Sequence, residues 1–147
     1  MNKDYIVIDN FLSSSNLELL YNYVENNYST QSIVVDDILS KQIYNDHVDK
    51  FRELAVVELS DRITISKGII PIAKHRDNVI CGETHKILIY LNEIPNGGTY
   101  FYINGKAELV ENKLNRLVLF DIKLEHRGQD FSRDYIKKTI GFRPVMY

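Results

Sequence analysis

The sequence predicts a mostly β protein with helices near its N-terminus, in which short strands form a sandwich or barrel and the helices pack on one face. Before about residue 60, apolar side chains recur at helical spacing; from Arg62 onward, short β-rich runs alternate with turn signals. Two helices followed by roughly seven short strands are typical of such an α+β architecture. A chain of 147 residues is long enough to form one domain with its own core.

The N-terminal part is predicted to contain one short strand and two helices. The alternating segment 4–9 predicts the strand, and the polar residues 13–16 that follow it offer N-cap groups. One apolar stripe at helical spacing then predicts a first helix with these members: Leu17, Leu20, Tyr21, Val24 and Tyr28. A second helix is predicted over about 46–59, with these residues on its buried face: Val48, Phe51, Ala55 and Leu59.

The remainder of the chain is predicted to be β structure. Runs of β-branched, aromatic and alternating residues predict strands at 62–66, 69–75, 86–91, 99–103, 106–110, 116–121 and 136–143. Asn104-Gly105, between two of these runs, is the strongest hairpin signal in the sequence, and residues 95–98 predict a further turn.

Composition and charge exclude several classes of function. The net charge is −2 and the basic residues are scattered, which argues against a nucleic-acid partner. No apolar run approaches the roughly 18 residues of a membrane span, and the first residues lack the apolar region of a signal peptide. The single cysteine, Cys81, cannot form an internal disulfide. We therefore expect a cytoplasmic protein in a reducing compartment; its richness in Ile, Asn and Lys suggests a bacterial or viral source.

Three residues offer metal-ligating chemistry. In an extended chain His75 and Asp77 point to the same face, and His126 follows a buried strand further along the chain. Two imidazoles and one carboxylate on one face of a metal form the facial triad of non-haem Fe(II) oxygenases, which leaves open coordination positions. Zinc is the competing metal on ligand type alone. Each histidine taken singly is more often a structural or surface residue than a ligand.

The order of motifs resembles the 2-oxoglutarate/Fe(II)-dependent dioxygenase superfamily, nearest its prolyl 4-hydroxylase-like branch. The resemblance covers nearly the whole chain and is weakest over residues 28–61. It rests on these segments: Tyr5–Leu12, His75-Arg-Asp77, Ile87–Asn92, Asn96–Phe101, Leu117–Asp121, His126-Arg-Gly128 and Lys137–Arg143.

The resemblance implies a double-stranded β-helix, or jelly-roll, barrel in a single domain spanning 1–147, with helical support over about 1–60 and the barrel over about 62–147. It implies His75, Asp77 and His126 as ligands of Fe(II). It also implies 2-oxoglutarate as cosubstrate, O₂ as oxidant and ascorbate as a candidate reductant. Because halogenating members lack the carboxylate ligand, Asp77 points to hydroxylation or a related oxidation.

Further residues are implied as ligands of 2-oxoglutarate. Tyr90 would donate a hydrogen bond to the distal carboxylate, and strand parity then directs Leu88, Lys86 and Thr84 to the same pocket and His85 away from it.

The distal carboxylate also needs a fixed cation, which the family places about ten residues after the second histidine. Lys137 and Lys138 both lie near that spacing. Lys137 shares its face of the predicted strand with small residues, as the family's cation does, whereas Lys138 shares the opposite face with Ile140 and Phe142. We therefore favour Lys137 and keep Lys138 as the second choice. Arg143 is either an additional ligand of the cosubstrate or a solvated strand end.

The predicted function is hydroxylation of an unactivated C–H bond, with a peptidyl proline as the favoured substrate. A free amino acid or small metabolite is the second choice, and a non-catalytic metal-binding β-sandwich module is the alternative from another class. The partner is thus a peptide, a protein or a small molecule. The sequence assigns no substrate-binding residue.

Overall fold

The computed structural model describes residues 4–27, 31–80 and 82–147, and these contain three helices and nine strands. In chain order the elements are β1 (Tyr5–Ile8), α1 (Ser14–Glu25), β2 (Ser32–Val35), α2 (Asp37–Asp46), α3 (Val48–Glu53), β3 (Val56–Gly68), β4 (His85–Tyr90), β5 (Thr99–Ile103), β6 (Lys106–Val110), β7 (Leu117–Asp121), β8 (His126–Gly128) and β9 (Lys137–Met146). The predicted mostly β fold with N-terminal helices is confirmed.

The strands form two antiparallel sheets. The larger sheet has the order β1-β7-β4-β9-β3-β2, and the smaller has the order β6-β5-β8. An aromatic and aliphatic core lies between the two sheets and contains Tyr90, Phe101, Val110, Val118 and Phe120. The two sheets therefore pack face to face as in a jelly-roll.

The helices cover the opposite face of the larger sheet. Apolar residues of the helical segment, among them Leu20, Ile43 and Phe51, pack in one buried cluster with Ile140 and Phe142 of β9. Because side chains alternate along a strand, the intervening β9 residues face the interior between the sheets. This alternation on β9 determines which of its lysines can reach the site described below.

Two side chains set where the longer helices begin. The hydroxyl of Ser13 accepts a hydrogen bond from the backbone N–H of Asn16 and caps α1. The carboxylate of Asp36 accepts one from the N–H of Leu39 and caps α2. The predicted first helix is thus confirmed; Tyr28, at the end of its predicted stripe, and Cys81 lie outside the described residues.

The second predicted helix is wrong in extent. Residues 48–53 are helical, but Ala55 has a φ of +61°, a left-handed conformation that ends the helix, and β3 begins at Val56. The periodic apolar pattern of 46–59 therefore combines a short helix with the start of a strand. Strand β2 and most of helix α2 were not predicted from the sequence.

The predicted strand at 69–75 is also wrong. Only His75 makes a β-bridge, to His126, and Ile69 and Ile70 are exposed. Pro71 has no N–H to donate to a strand ladder. By contrast, the strands at 99–103 and 106–110 are confirmed with the predicted bounds, and Asn104 and Gly105 between them both have positive φ values, as a two-residue hairpin turn requires.

No helix within the described ranges is long and apolar enough to cross a membrane.

Asn115 ties the N-terminal segment to the larger sheet. Its side-chain oxygen accepts a hydrogen bond from the N–H of Leu12 at 2.9 Å, and its amide donates one to the Leu12 carbonyl, also at 2.9 Å. Its own N–H donates to the carbonyl of Tyr90, and its φ is +64°. Asn115 is 7% exposed, so these hydrogen bonds are shielded from water.

We expect Asn115→Ala to lower the free energy of unfolding by about 3 kcal/mol, because it removes two buried hydrogen bonds and places alanine, which tolerates the left-handed region less well than asparagine, at a positive φ. The matched control is Asn104→Ala, at an exposed turn with a φ of +53°, which should cost about 1 kcal/mol. Denaturant unfolding of both variants measures the difference. Equal losses would show that the side-chain bonds of Asn115 add nothing.

Candidate metal centre and adjoining cavities

A reciprocal pair of backbone hydrogen bonds places two histidines side by side. The N–H of His75 donates to the His126 carbonyl at 2.8 Å, and the N–H of His126 donates to the His75 carbonyl at 2.9 Å. Side chains of directly opposed residues in an antiparallel pair project from the same face. The two imidazole rings accordingly lie with their centroids 4.3 Å apart.

Both imidazoles are held in the tautomer that a metal requires. The Nδ1 of His75 lies 2.7 Å from the Ala73 carbonyl, and the Nδ1 of His126 lies 3.0 Å from the Leu124 carbonyl. A carbonyl oxygen only accepts, so each Nδ1 carries the proton and each Nε2 presents its lone pair.

Asp77 completes the group. Its Oδ1 lies 3.5 Å from the Nε2 of His75, and its Oδ2 lies 3.5 Å from the Nε2 of His126. One ligand atom from each of the three residues can be chosen so that all lie within 4.8 Å of one another. The Oδ2 atom is buried and accepts no hydrogen bond within the described part of the chain. Two free imidazole lone pairs and an orphaned carboxylate oxygen fit a divalent metal.

The charges around Asp77 keep it ionised. Burial raises its pKa, but the neighbouring His75 ring and the charges of Lys86 and His126 outweigh that effect and hold the pKa below its usual range. The nearby carboxylate of Asp77 raises the pKa of His75, whereas burial lowers the pKa of His126. The carboxylate is therefore available as a metal ligand at neutral pH.

Lys86 lies directly beside the triad. Its Nζ donates to the Asp77 Oδ1 at 3.1 Å, and both side chains are less than a tenth exposed. Gly141 on the neighbouring strand makes room for it, because a Cβ at position 141 would lie 3.0 Å from the Cε of Lys86. The sequence directs Lys86 to the pocket but gives no sign of its bond to Asp77.

The other two histidines lie outside the site. His85 hydrogen-bonds to Thr84, whose hydroxyl is 2.8 Å from the His85 Nδ1, and it lines neither cavity described below. His47 is buried between helices, where its Nε2 accepts from the N–H of Ser13. Thr84 precedes β4 and does not face the site, contrary to the parity prediction, because the strand begins only at His85.

A cavity between the sheets, here called the inner cavity, adjoins the triad. Besides the three triad residues its wall includes Lys86, Leu88, Thr99, Phe131, Lys137 and Thr139. Lys137 forms no ion pair with any carboxylate of the described residues, and its Nζ donates only to the Gly98 carbonyl at 3.3 Å. Burial without a counter-ion lowers the pKa of Lys137 to about 8. The inner cavity thus holds an ammonium group for which the described part of the chain offers no anionic partner.

Lys138 points away from this cavity. Its Nζ donates to Glu25 Oε2 at 2.6 Å and to the Tyr21 hydroxyl at 2.7 Å, on the helical side of the sheet. Tyr90 lies one layer behind the inner cavity, where its hydroxyl is 2.6 Å from the Oγ1 of Thr99. Burial raises the pKa of Tyr90 to about 12, so its hydroxyl remains protonated.

A second cavity, here called the outer cavity, adjoins the triad from the other side and has a volume of about 500 Å³. It shares His75, Asp77 and Lys86 with the inner cavity, and its other lining residues include Ser32, Ile33, Thr64, Arg76, Asn78, Ile80 and Arg143. Arg143 is buried there, with its Nη1 donating to Glu83 Oε1 at 2.5 Å and to the Asn78 carbonyl at 2.8 Å. It is therefore neither a solvated strand end nor part of the inner cavity wall.

Several lining residues were not predicted from the sequence. Thr99 and Phe131 lie on the inner cavity wall, and Glu83 holds Arg143. Thr99 lies within the segment Asn96–Phe101 that carries the resemblance but was given no role, and no motif marks Phe131 or Glu83. Thr139 could have been found, since it shares the parity of Lys137 on β9.

Comparison with known proteins identifies the class of fold. No protein-family model matches the chain, and no curated protein sequence matches it. A prolyl-4-hydroxylase from Pseudomonas putida is similar in structure, with a TM-score of 0.71, 14% identity and coverage of 98% of this chain and 93% of that chain.

Two further solved structures are similar. A Trichoplax adhaerens prolyl hydroxylase in complex with a hypoxia inducible factor peptide fragment has a TM-score of 0.70, 16% identity and coverage of 97% and 84% of the two chains. HygX from Streptomyces hygroscopicus, with nickel and 2-oxoglutarate bound, has a TM-score of 0.69, 12% identity and coverage of 98% and 83%. The chain has the jelly-roll fold of the 2-oxoglutarate/Fe(II) oxygenases. The similarity in fold to the prolyl 4-hydroxylase from Pseudomonas putida extends over nearly the whole chain.

We expect His126→Ala and Asp77→Asn to weaken Ni(II) binding at least ~100-fold, because each removes one of three metal ligands. Mutation of a residue that only hydrogen-bonds to a metal ligand typically costs ~10–100-fold in affinity. His85→Ala is the matched control and should retain wild-type affinity. Calorimetric titration with Ni(II) measures all three. Unchanged affinity in His126→Ala would rule out this group as the metal centre.

Proposed function

We propose that the protein is an Fe(II)- and 2-oxoglutarate-dependent dioxygenase. The observation that carries the proposal is the pairing of two features. One is a His-Asp-His group whose ligand atoms lie within 4.8 Å of one another, and the other is an adjoining cavity whose ammonium group, on Lys137, has no carboxylate partner among the described residues. A metal site and a separate cation are what a chelating dicarboxylate needs at its two ends. The fold shared with known 2-oxoglutarate oxygenases supports the same assignment.

His75, Asp77 and His126 would hold Fe(II), and Lys137 would form an ion pair with the distal carboxylate of 2-oxoglutarate. Thr99 lines the same cavity, and its hydroxyl would donate to that carboxylate while Tyr90 orients it from behind. Arg143 is bound to Glu83 and would not contact the cosubstrate. Leu88 and Phe131 contribute apolar wall that limits water around the bound dianion.

Bound iron would supply the redox chemistry, in which O₂, 2-oxoglutarate and a substrate C–H bond give succinate, CO₂ and a C–OH group. One oxygen atom enters succinate and the other enters the hydroxyl group. His75, Asp77 and His126 would hold the iron and Lys137 the far carboxylate of the cosubstrate, so the protein would orient the reactants relative to one another. Ascorbate would serve only to return oxidised iron to the ferrous state.

The proposed substrate is a peptidyl proline. The similarity to prolyl hydroxylases, one of them with a bound peptide, supports this choice. The outer cavity also carries exposed apolar residues on its wall, Ile33 and Ile80, which suit a peptide chain. A free amino acid or small metabolite is the second candidate, because a volume of about 500 Å³ is typical of small-molecule sites.

The proposal is tested by adding Fe(II) and 2-oxoglutarate to the protein, first without and then with O₂. We expect weak visible charge-transfer absorption in the anaerobic sample, and succinate after O₂ is admitted. Both should be lost in His126→Ala and retained in His85→Ala. A protein that binds metal but shows neither signal, with proline-containing peptides and free amino acids also supplied, would be a non-catalytic metal-binding module instead.

We expect Lys137→Ala to raise the KM for 2-oxoglutarate about 10–100-fold, since a charge-assisted hydrogen bond contributes about 1.5–3 kcal/mol. Lys138→Ala is the control, because Lys138 is bound to Glu25 on the other face of the strand, and its KM should stay near the wild-type value. Steady-state succinate formation gives both constants. A larger effect from Lys138 would overturn the assignment.

The affinity for 2-oxoglutarate should also depend on pH. Burial lowers the pKa of Lys137 to about 8, so the free protein carries the cation below that pH and loses it above. The apparent Kd should be level below about pH 8 and rise up to about tenfold per pH unit above it. Lys137→Arg stays charged throughout and should remove this rise. Titration of the Ni(II)-loaded protein with 2-oxoglutarate at several pH values measures the Kd. An identical pH profile in the wild type and in Lys137→Arg would assign the pH dependence to another group.

A further inference from the structure

The wall of the outer cavity is strongly cationic. Among the outer-cavity residues identified above, Arg76, Lys86 and Arg143 are positively charged, and Asp77 is the one carboxylate. Arg143 already has an acidic partner, because its Nη1 lies 2.5 Å from the Glu83 Oε1. Arg76 is exposed, and the structure shows no ion pair for it within the described residues. That leaves Arg76 without an acidic partner among the described residues and Lys86 with Asp77 as its one partner there.

Lys86 depends on Asp77 for its counter-charge. Its side chain is 8% exposed, its Nζ donates to the Asp77 Oδ1 at 3.1 Å, and the structure shows no other ion pair for it among the described residues. Fe(II) at the triad would bind the same carboxylate and neutralise it. A cation that is almost fully buried would then face the cavity without a full counter-charge, which is costly unless a ligand supplies one.

The cosubstrate does not supply that charge. In the proposed complex one carboxylate of 2-oxoglutarate binds the metal and the other binds Lys137, so both of its charges are already balanced. Lys86 lines the outer cavity as well as the inner one and is accessible to a second ligand there. Arg76, at the mouth of the same cavity, would attract the same kind of ligand.

We propose that the outer cavity binds a carboxylate group of the hydroxylation substrate, with Lys86 as its ion-pair partner and Arg76 guiding its entry. This inference rests on the proposed function, because it concerns the substrate of that same site. The substrate is then a free amino acid or other carboxylic acid, or a peptide with an acidic residue beside the residue that is oxidised. An uncharged peptide segment would leave Lys86 unbalanced.

The carboxylate site can be tested without turnover. Trifluoroacetate is added to protein loaded with Mn(II) and saturated with 2-oxoglutarate under argon, in chloride-free buffer, and its ¹⁹F relaxation reports proximity to the paramagnetic metal. We expect a saturable enhancement for trifluoroacetate and none for trifluoroacetamide, which has a similar shape and no charge. Equal effects of the two probes, or no enhancement by trifluoroacetate, would overturn the proposal.

Lys86→Met removes the charge and keeps most of the length of the side chain. It should weaken trifluoroacetate binding at least ~10-fold, the effect of losing a charge-assisted bond, while Lys106→Met, on exposed β6, should leave it unchanged. Retained Mn(II) and 2-oxoglutarate binding in Lys86→Met is checked first. Unchanged trifluoroacetate binding in Lys86→Met would show that the anion binds the metal directly. Should Lys86→Met lose the metal, Lys86→Gln, which keeps a hydrogen-bond donor toward Asp77, is measured in its place by the same criterion.

Competition against bound trifluoroacetate distinguishes the two sources of the carboxylate. The probes are L-proline against L-prolinamide, and acetyl-Asp-Pro-Gly-amide against acetyl-Asn-Pro-Gly-amide. We expect at least one acidic probe to displace trifluoroacetate at a lower concentration than its neutral counterpart. The acidic probe that displaces it at the lower concentration identifies the source of the carboxylate. If neither acidic probe is more effective than its neutral counterpart, the proposal is contradicted. None of these assays needs turnover. If the protein binds trifluoroacetate but forms no succinate, the proposed dioxygenase activity is wrong and the proposed anion site still stands.

Discussion

The candidate site depends on the reciprocal backbone hydrogen bonds between His75 and His126. These two bonds join a segment outside the regular strands to β8 of the smaller sheet, and they fix both imidazoles on one face. The carbonyls of Ala73 and Leu124 then orient the rings, so each Nε2 faces Asp77. The ligand geometry is therefore set by main-chain contacts that form without a metal, which reduces the ordering required when one binds.

Asp77 connects the two cavities electrostatically. Its carboxylate lies beside two imidazoles and the ammonium group of Lys86. The other residues that line the two cavities are cationic or neutral. On one side Lys137 is suited to a dicarboxylate, and on the other side Lys86 and Arg76 are suited to a further anion. In the proposed complex the site would therefore bind negatively charged ligands around a positive metal, with the Asp77 carboxylate between Lys86 and the two imidazoles.

Local sequence patterns predicted the parts of the site that depend on strand alternation. The i, i+2 spacing placed His75 and Asp77 together, and the parity of β9 put Lys137 and Lys138 on opposite faces. The choice of Lys137 for the pocket came from the family resemblance, and in the structure Lys137 lines the inner cavity while Lys138 binds Glu25 and Tyr21. The partners of Lys86 and Arg143 could not be predicted, because the pairs with Asp77 and Glu83 form between different segments of the fold. The helix predicted through residue 59 failed for a related reason: the left-handed backbone of Ala55 and the pairing of β3 with β9 interrupt an otherwise helical pattern.

The side chain of Lys86 fills the space beside the Cα of Gly141. Since a Cβ at position 141 would approach the Cε of Lys86 at 3.0 Å and the Ile87 carbonyl at 3.4 Å, the stem of the lysine passes over the bare backbone of β9. The two positions should therefore change together over evolution: a relative with a shorter residue at 86 can accept a larger one at 141, whereas a relative that keeps the lysine should keep the glycine. A sequence search for that paired pattern would separate homologues that share this charge arrangement from those that share only the barrel.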